Sequence, residues 1–238
     1  MYRCTIDAKS PYHVELPEAR ERDKVHQLAE AFVVYDLTLP PAQQCPYTAE
    51  LIELLAQCPA YQQDRQQGEA QRTVASESLK VLDRHAQKMI EEMYFCLRVH
   101  LLDEPYRMEE WGFDLKQTTG HIIWPRGRTE RMALLTTYIK QELSRPAALR
   151  LTRPNLEDVI VLRDEIKAIQ ATSRAGYTRR KQSNAIGYTL SRQMTECLRA
   201  AGVFLISRRF NYRITHDLEQ WGFKVVRRTS RKGNGGSG

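Results

Sequence analysis

The chain is poor in the residue patterns that announce a chemistry. Its five cysteines, Cys4, Cys45, Cys58, Cys96 and Cys197, are scattered and form no C-x-x-C pair. Neither a zinc ribbon nor a dithiol redox motif is expected; the simplest reading is ordinary reduced thiols in a cytoplasmic protein. No apolar run approaches 18 residues, so no membrane-spanning helix is expected, and Met1-Tyr-Arg-Cys-Thr lacks the basic-then-apolar pattern of a secretory signal. The Walker loop, G-x-S-x-G and H-E-x-x-H are all missing. The last six residues, from Gly233, spell G-x-G-x-x-G, but with no strand before them and no helix after them to hold a phosphate.

The acid–base inventory is equally thin. No Glu has a His three residues later, so the Glu-x-x-His of di-iron carboxylate bundles is missing; Asp23-x-x-His26 stands alone. The histidines at 13, 26, 85, 100, 121 and 216 are dispersed, and His85 and His100 lie about four turns apart on one predicted helix. Glu91-Glu92 and Glu109-Glu110 are sequence neighbours, which do not face each other on a helix. No catalytic residue, metal ligand or cofactor is expected, and a non-enzymatic role follows. Strand candidates are few: Phe32-Val-Val-Tyr and Phe223-Lys-Val-Val are short.

Two related hexapeptides organise what remains. Met108-Glu-Glu-Trp-Gly-Phe113 and Leu218-Glu-Gln-Trp-Gly-Phe223 both read as helix ends. Gly112 and Gly222 can take the left-handed conformation that stops a helix, and Phe113 and Phe223 can then fold back on Met108 and Leu218, as in a Schellman cap. Trp111 and Trp221 are predicted as buried anchors beside these caps, not as ligand-stacking rings.

Helical periodicity fills the chain between them. Val25, Leu28, Ala29 and Phe32 share one face, and Leu39-Pro-Pro41 ends that helix. Thr48 caps a second helix carrying Leu51, Leu54, Leu55 and Cys58, and Pro59 marks a kink or a break. Residues 62–73 are polar all round, an exposed extension or a turn at Gly68. A long stripe then runs through Leu79, Leu82, Ala86, Met89, Ile90, Met93, Leu97 and Leu101, followed by a short helix starting at Asp103-Glu-Pro. The pattern recurs at an offset of 107 to 110: Met132, Leu135, Thr136 and Ile139; then Val159, Leu162, Ile166 and Ile169 after a cap at Asn155; Gly176; and Ile186 through Leu205. The expectation is an all-α fold of two tandem, internally duplicated bundles of about four helices each. An irregular arm covers 1–21, the first bundle 22–115, a connector 116–128, the second bundle 129–226, and a basic, then Gly/Ser-rich, disordered tail 227–238.

Charge is unevenly spread. Residues 1–120 carry 13 Lys/Arg against 20 Asp/Glu, and residues 121–238 carry 23 against 9. Either the halves dock on each other or the basic half meets an external anion. Candidate anion or nucleic-acid contacts are Arg174, Arg179, Arg180 and Lys181 around Tyr177; Arg208, Arg209 and Arg213 around Tyr212; and Arg227, Arg228, Arg231 and Lys232 in the tail. No helix-turn-helix or RNA-recognition motif accompanies them.

Thr48-Ala-Glu-Leu, the polar stretch 62–76, the long helix 79–101 and the short helix before Gly112-Phe113 together resemble uncharacterised bacterial helical proteins built from a repeated bundle unit. The likeness covers about residues 22–115 and, more loosely, 129–225, and this chain is richer in charge and aromatics than that pattern. The resemblance implies a helical bundle and no activity, ligand or site residue. The functional expectation is therefore a non-catalytic helical interaction or scaffold protein with an unknown protein partner and no membrane role. The alternative is a nucleic-acid-binding protein using the basic second half and tail.

Overall fold

A computed structural model describes residues 10–116 and 118–228. It is mainly helical, with 72% helix against 6% strand, which places it in the all-α-dominant class. Four α-helices carry the fold: α1 (Arg22–Asp36), α2 (Thr48–His100), α3 (Arg128–Ser144) and α4 (Leu156–Phe204). Short 3-10 helices at Pro105–Trp111 and His216–Trp221 precede the two glycine stops. Strand β1 (Tyr12–Glu15) pairs antiparallel with a C-terminal strand, β4 (Lys224–Arg227), while β2 (Asp114–Leu115) and β3 (Ile122–Ile123) form a minimal hairpin. The expected irregular arm thus contains a strand, and the hairpin straddles the expected boundary between the first bundle and the connector, with β3 alone inside 116–128.

The polar middle of each long helix is helical, as the extension reading of residues 62–73 expected, and not a turn. α2 runs 53 residues without a break, through Pro59 and Gly68, and α4 runs 49 through Gly176 and Gly187. The reason is side-chain size. Along α4, Leu162, Ile166, Gly176, Ser183, Gly187, Leu190, Met194 and Cys197 are all buried, at positions that keep the alternating three-and-four steps of a coiled-coil seam. In the middle of that seam the residues are small, so burial continues while hydrophobicity vanishes. A Cβ on Gly176 would stand 2.9 Å from the backbone oxygen of Gly68, and one on Gly187 would stand 2.7 Å from the Tyr61 ring. Glycine is required there by close approach, not by a turn.

Continuous helices also change the partition of the chain. Among the described residues, one compact unit joins those up to Gln66 with those from Arg179 onward, and the other is Gln67–Thr178. The units therefore do not follow the expected boundaries 22–115 and 129–226: each long helix contributes its two ends to different units. In unit 1 the core gathers Val25, Phe32, Leu51, Cys58, Met194, Leu198, Trp221 and Phe223. In unit 2 it gathers Ala86, Met93, Leu97, Trp111, Phe113, Leu135, Tyr138 and Ile166. The Trp221 segment packs on α1 and the Trp111 segment on α3.

Both left-handed glycine stops form as expected, and the full Schellman bond is made at the first. Gly112 and Gly222 have φ of 91° and 81°. Phe113 N–H donates to the Met108 carbonyl at 3.2 Å, the six-to-one bond of a Schellman cap. Each Trp is buried, and a guanidinium lies over each ring: Arg145 over Trp111 at 5.4 Å, and Arg209 over Trp221 at 4.9 Å. A buried carboxylate organises the surrounding turns in each unit. Asp36 accepts from Cys45 N at 2.9 Å, Thr48 Oγ1 at 2.5 Å and Trp221 Nε1 at 3.0 Å. Glu142 accepts from Arg145 Nη1 and Leu151 N, each at 3.0 Å.

Candidate interaction surface

The predicted basic residues fall in separate stretches of the chain, of which Arg174, Arg179, Arg180 and Lys181 sit close together along α4. Arg174 lies in unit 2, where it helps line an open groove of about 630 Å³ with Arg72, Thr73, Ser76, Ser173 and Tyr177. Arg179 is in unit 1 and pairs with Asp64, its Nε 3.2 Å from Oδ1. Arg180 is half-buried and Lys181 exposed. Arg208 and Arg213 are exposed beyond the end of α4, whereas Arg209 is committed to the Trp221 ring and to the Gln43 carbonyl at 3.4 Å. Along helical spacing, Lys181 and Arg208 are about 40 Å apart. Arg227 sits opposite Tyr12 in the strand pair, and Arg228 donates its backbone N–H to Pro11 at 2.6 Å. Arg231 and Lys232 lie outside the described residues.

The charge asymmetry is absorbed in part. Unit 1 combines residues 1–66, with 6 Lys/Arg against 10 Asp/Glu, and residues 179–238, with 13 against 3. Arg179–Asp64 and Lys224–Glu15 (2.7 Å) join the acidic and basic segments there, and Asp83 takes Arg128 and Arg131 in unit 2. His26 approaches Glu30 at 3.3 Å rather than Asp23.

A second groove of about 380 Å³ in unit 2 is lined by His85, Lys88, Glu92, Asp158 and Glu165 among others. No hydrogen bond or ion pair links these five groups to one another in the described residues. Nor is any group of three or more His, Cys, Asp or Glu among the described residues placed to hold a metal ion. Among the described residues, no helix is long and apolar enough to cross a membrane.

Periodicity alone had not singled out a surface at the end of α2. Phe95, Val99 and Leu102 are 62%, 78% and 74% exposed, although each is a large apolar side chain. Their spacing of four and three places them on one face as α2 ends. Tyr94 continues the patch, its ring 5.4 Å from Phe95 and 5.2 Å from the half-exposed Trp124. The signal is present in the sequence: Met93-Tyr-Phe-Cys-Leu-Arg-Val-His-Leu-Leu102 is apolar on more than one side. A surface helix needs only one apolar face, so the second is surplus to the core. Met93, Leu97 and Leu101 fill the core, and Phe95, Val99 and Leu102 remain outside. Glu104, beside the patch, is held below the ordinary carboxylate range by a hydrogen bond from Arg107.

The four described cysteines are free thiols. Burial, reinforced by the nearby Asp36 carboxylate, pushes Cys45 up to about 11. Burial, reinforced by Glu50, pushes Cys197 up to about 12. Both are therefore protonated and unreactive near neutrality. A thiol raised above its unfolded value of about 8.5 stabilises the fold only while protonated. The contribution is complete below pH 8.5 and is lost as pH climbs toward 11 and 12. Urea midpoints are expected to fall across that alkaline window, and a Cys45→Ala/Cys197→Ala variant is expected to show a shallower fall. Parallel slopes would remove these thiols as the cause.

No family model, curated protein or solved structure matches the chain.

Proposed function

We propose that this chain is a non-catalytic helical interaction protein that docks a partner protein through the Tyr94, Phe95, Val99, Leu102 and Trp124 patch of unit 2. The single observation that carries the reading is the exposure of three large apolar side chains on one turn-spaced face. Burying each such side chain contributes about 1.5–3 kcal/mol, and contiguous exposed patches of this kind mark interaction sites. The nucleic-acid reading has weaker support, because Arg179 and Arg209 are already engaged within the fold. Free thiols fit a reducing, cytoplasmic setting.

We also propose that the chain descends from a duplicated helical unit of the bacterial bundle-repeat kind. The reading is supported by the paired glycine caps and by the matching packing of the Trp221 segment on α1 and the Trp111 segment on α3. Further support comes from Gly68 and Gly176, equivalent at an offset of 108, lying against each other.

A photo-crosslinking residue at Val99 tests the docking role in cells that express the protein. A discrete protein adduct is expected from position 99 and none from exposed Lys140. Equal labelling at both positions, or none at Val99, sinks the reading.

A further inference from the structure

We propose that the occupant of the unit 2 patch is a second copy of this chain, presented through its segment 199–213. The inference rests on the docking role argued above and names its partner. The first observation is charge. Residues 91–110 around the patch carry six acidic groups, Glu91, Glu92, Asp103, Glu104, Glu109 and Glu110, against Arg98 and Arg107. Arg107 is already taken by Glu104 and Glu110, at 2.9 and 3.2 Å. Glu92, Asp103 and Glu109 have no cationic partner among the described residues. Segment 199–213 is the converse, with Arg199, Arg208, Arg209 and Arg213 and no acidic residue. Arg199, Arg208 and Arg213 are exposed and form no ion pair among the described residues.

The second observation is how that basic segment displays apolar surface. α4 ends in a π-turn at Leu205–Arg209, after which Asn211 and Tyr212 have φ of 46° and 63°. Two successive non-glycine residues in the left-handed region carry backbone strain, and such strain collects at binding sites. Here it holds Tyr212 61% exposed between Arg208 and Arg213, with its backbone N–H fixed to the Ile206 carbonyl at 2.7 Å. Val203 adds a further exposed apolar group one turn beyond Arg199. Tyrosine and arginine facing an aromatic patch rimmed by carboxylates are the residue types that dominate interface energetics. Because two different surfaces meet, a single contact leaves one surface free on each copy, so assembly either closes, as a reciprocal two-fold dimer or a larger ring, or continues as an open chain.

Sedimentation velocity of the full chain over a concentration and salt series tests this. Wild type is expected to associate beyond the monomer at low salt and to dissociate as salt rises. Val99→Asp and the double variant Arg208→Glu/Arg213→Glu are each expected to weaken association about tenfold or more, with unchanged circular dichroism. Phe95→Ser substitutes for Val99→Asp if that variant does not fold. An equimolar mixture of the two variants keeps one intact surface of each kind, so it is expected to form dimers and nothing larger. Wild type that stays monomeric throughout overturns the proposal, as does an arginine variant that associates as well as wild type. Monomeric wild type that shifts random duplex DNA assigns the arginines to nucleic acid instead. A monomer that still gives the Val99 adduct with another protein in cells overturns self-association and leaves the docking role standing.

Discussion

Replacing Trp221 with alanine is expected to destabilise unit 1 by about 3–5 kcal/mol, the range for large aromatic truncations in a core. The side chain is 1% exposed. Its ring stacks edge-on against Tyr35 at 4.6 Å and Phe210 at 6.1 Å and lies under Arg209, so the truncation removes aromatic, cation–π and burial terms together. It also removes the donor to Asp36 Oδ1, leaving part of a buried carboxylate without a partner. Since whole domains are stable by only about 5–15 kcal/mol, a urea titration should show a large fall in the unit 1 midpoint. Trp221→Phe separates the terms. It keeps most of the packing and loses the hydrogen bond, for about 1–3 kcal/mol. A cost below about 1 kcal/mol for the alanine variant would show that the tryptophan is not an anchor.

That anchor was readable before any coordinates, because a cap is local. Gly112 and Gly222 need only their own backbone freedom, and each Trp and Phe sits at a fixed offset from its glycine. The faces of α1 and α3 were readable for the same reason: an amphipathic period is a property of one helix. What sequence could not show is which face meets which. The tandem-bundle expectation placed each Trp cap within its own bundle, 22–115 or 129–226. The unbroken α2 and α4 instead carry their ends into different units, so Trp111 meets α3 and Trp221 meets α1. Their continuity was hidden because Gly68, Ala75, Gly176 and Ser183 are buried without being strongly apolar. The β1–β4 pairing joins Tyr12 to Arg227, a separation no local pattern spans.

The candidate surface divides along the same line. Residue type was legible, since Arg208, Arg213 and Tyr212 stand out as a basic, aromatic cluster. Placement was not: nothing in composition distinguishes exposed Arg208 from Arg209, which covers Trp221. Phe95, Val99 and Leu102 were masked by the buried stripe interleaved with them, because a search for one apolar face stops once it has found Met93, Leu97 and Leu101.

The other large effect is expected at Asp36. This carboxylate is fully buried and holds three donors from three separate segments: Cys45 N in the turn before α2, Thr48 Oγ1 at its start, and Trp221 Nε1 in the C-terminal cap. Asp36→Ala strands all three. Each buried donor left without an acceptor costs about 1–3 kcal/mol, partly offset because a buried charge no longer has to be desolvated. The net expectation is about 3–5 kcal/mol from urea unfolding. Asparagine should recover little of it. One side of its amide is a donor, and that side must face either Trp221 Nε1–H or the Cys45 backbone N–H, which can only donate; the Thr48 hydroxyl alone could turn to accept. The decisive measurement is a double-mutant cycle with Trp221→Phe. Both substitutions delete the same Nε1–Oδ1 bond, so the double variant should be less destabilised than the two singles combined, by about 1 kcal/mol or more. Strict additivity would mean that Asp36 and Trp221 stabilise unit 1 independently, and that the carboxylate acts on the α1–α2 turn alone.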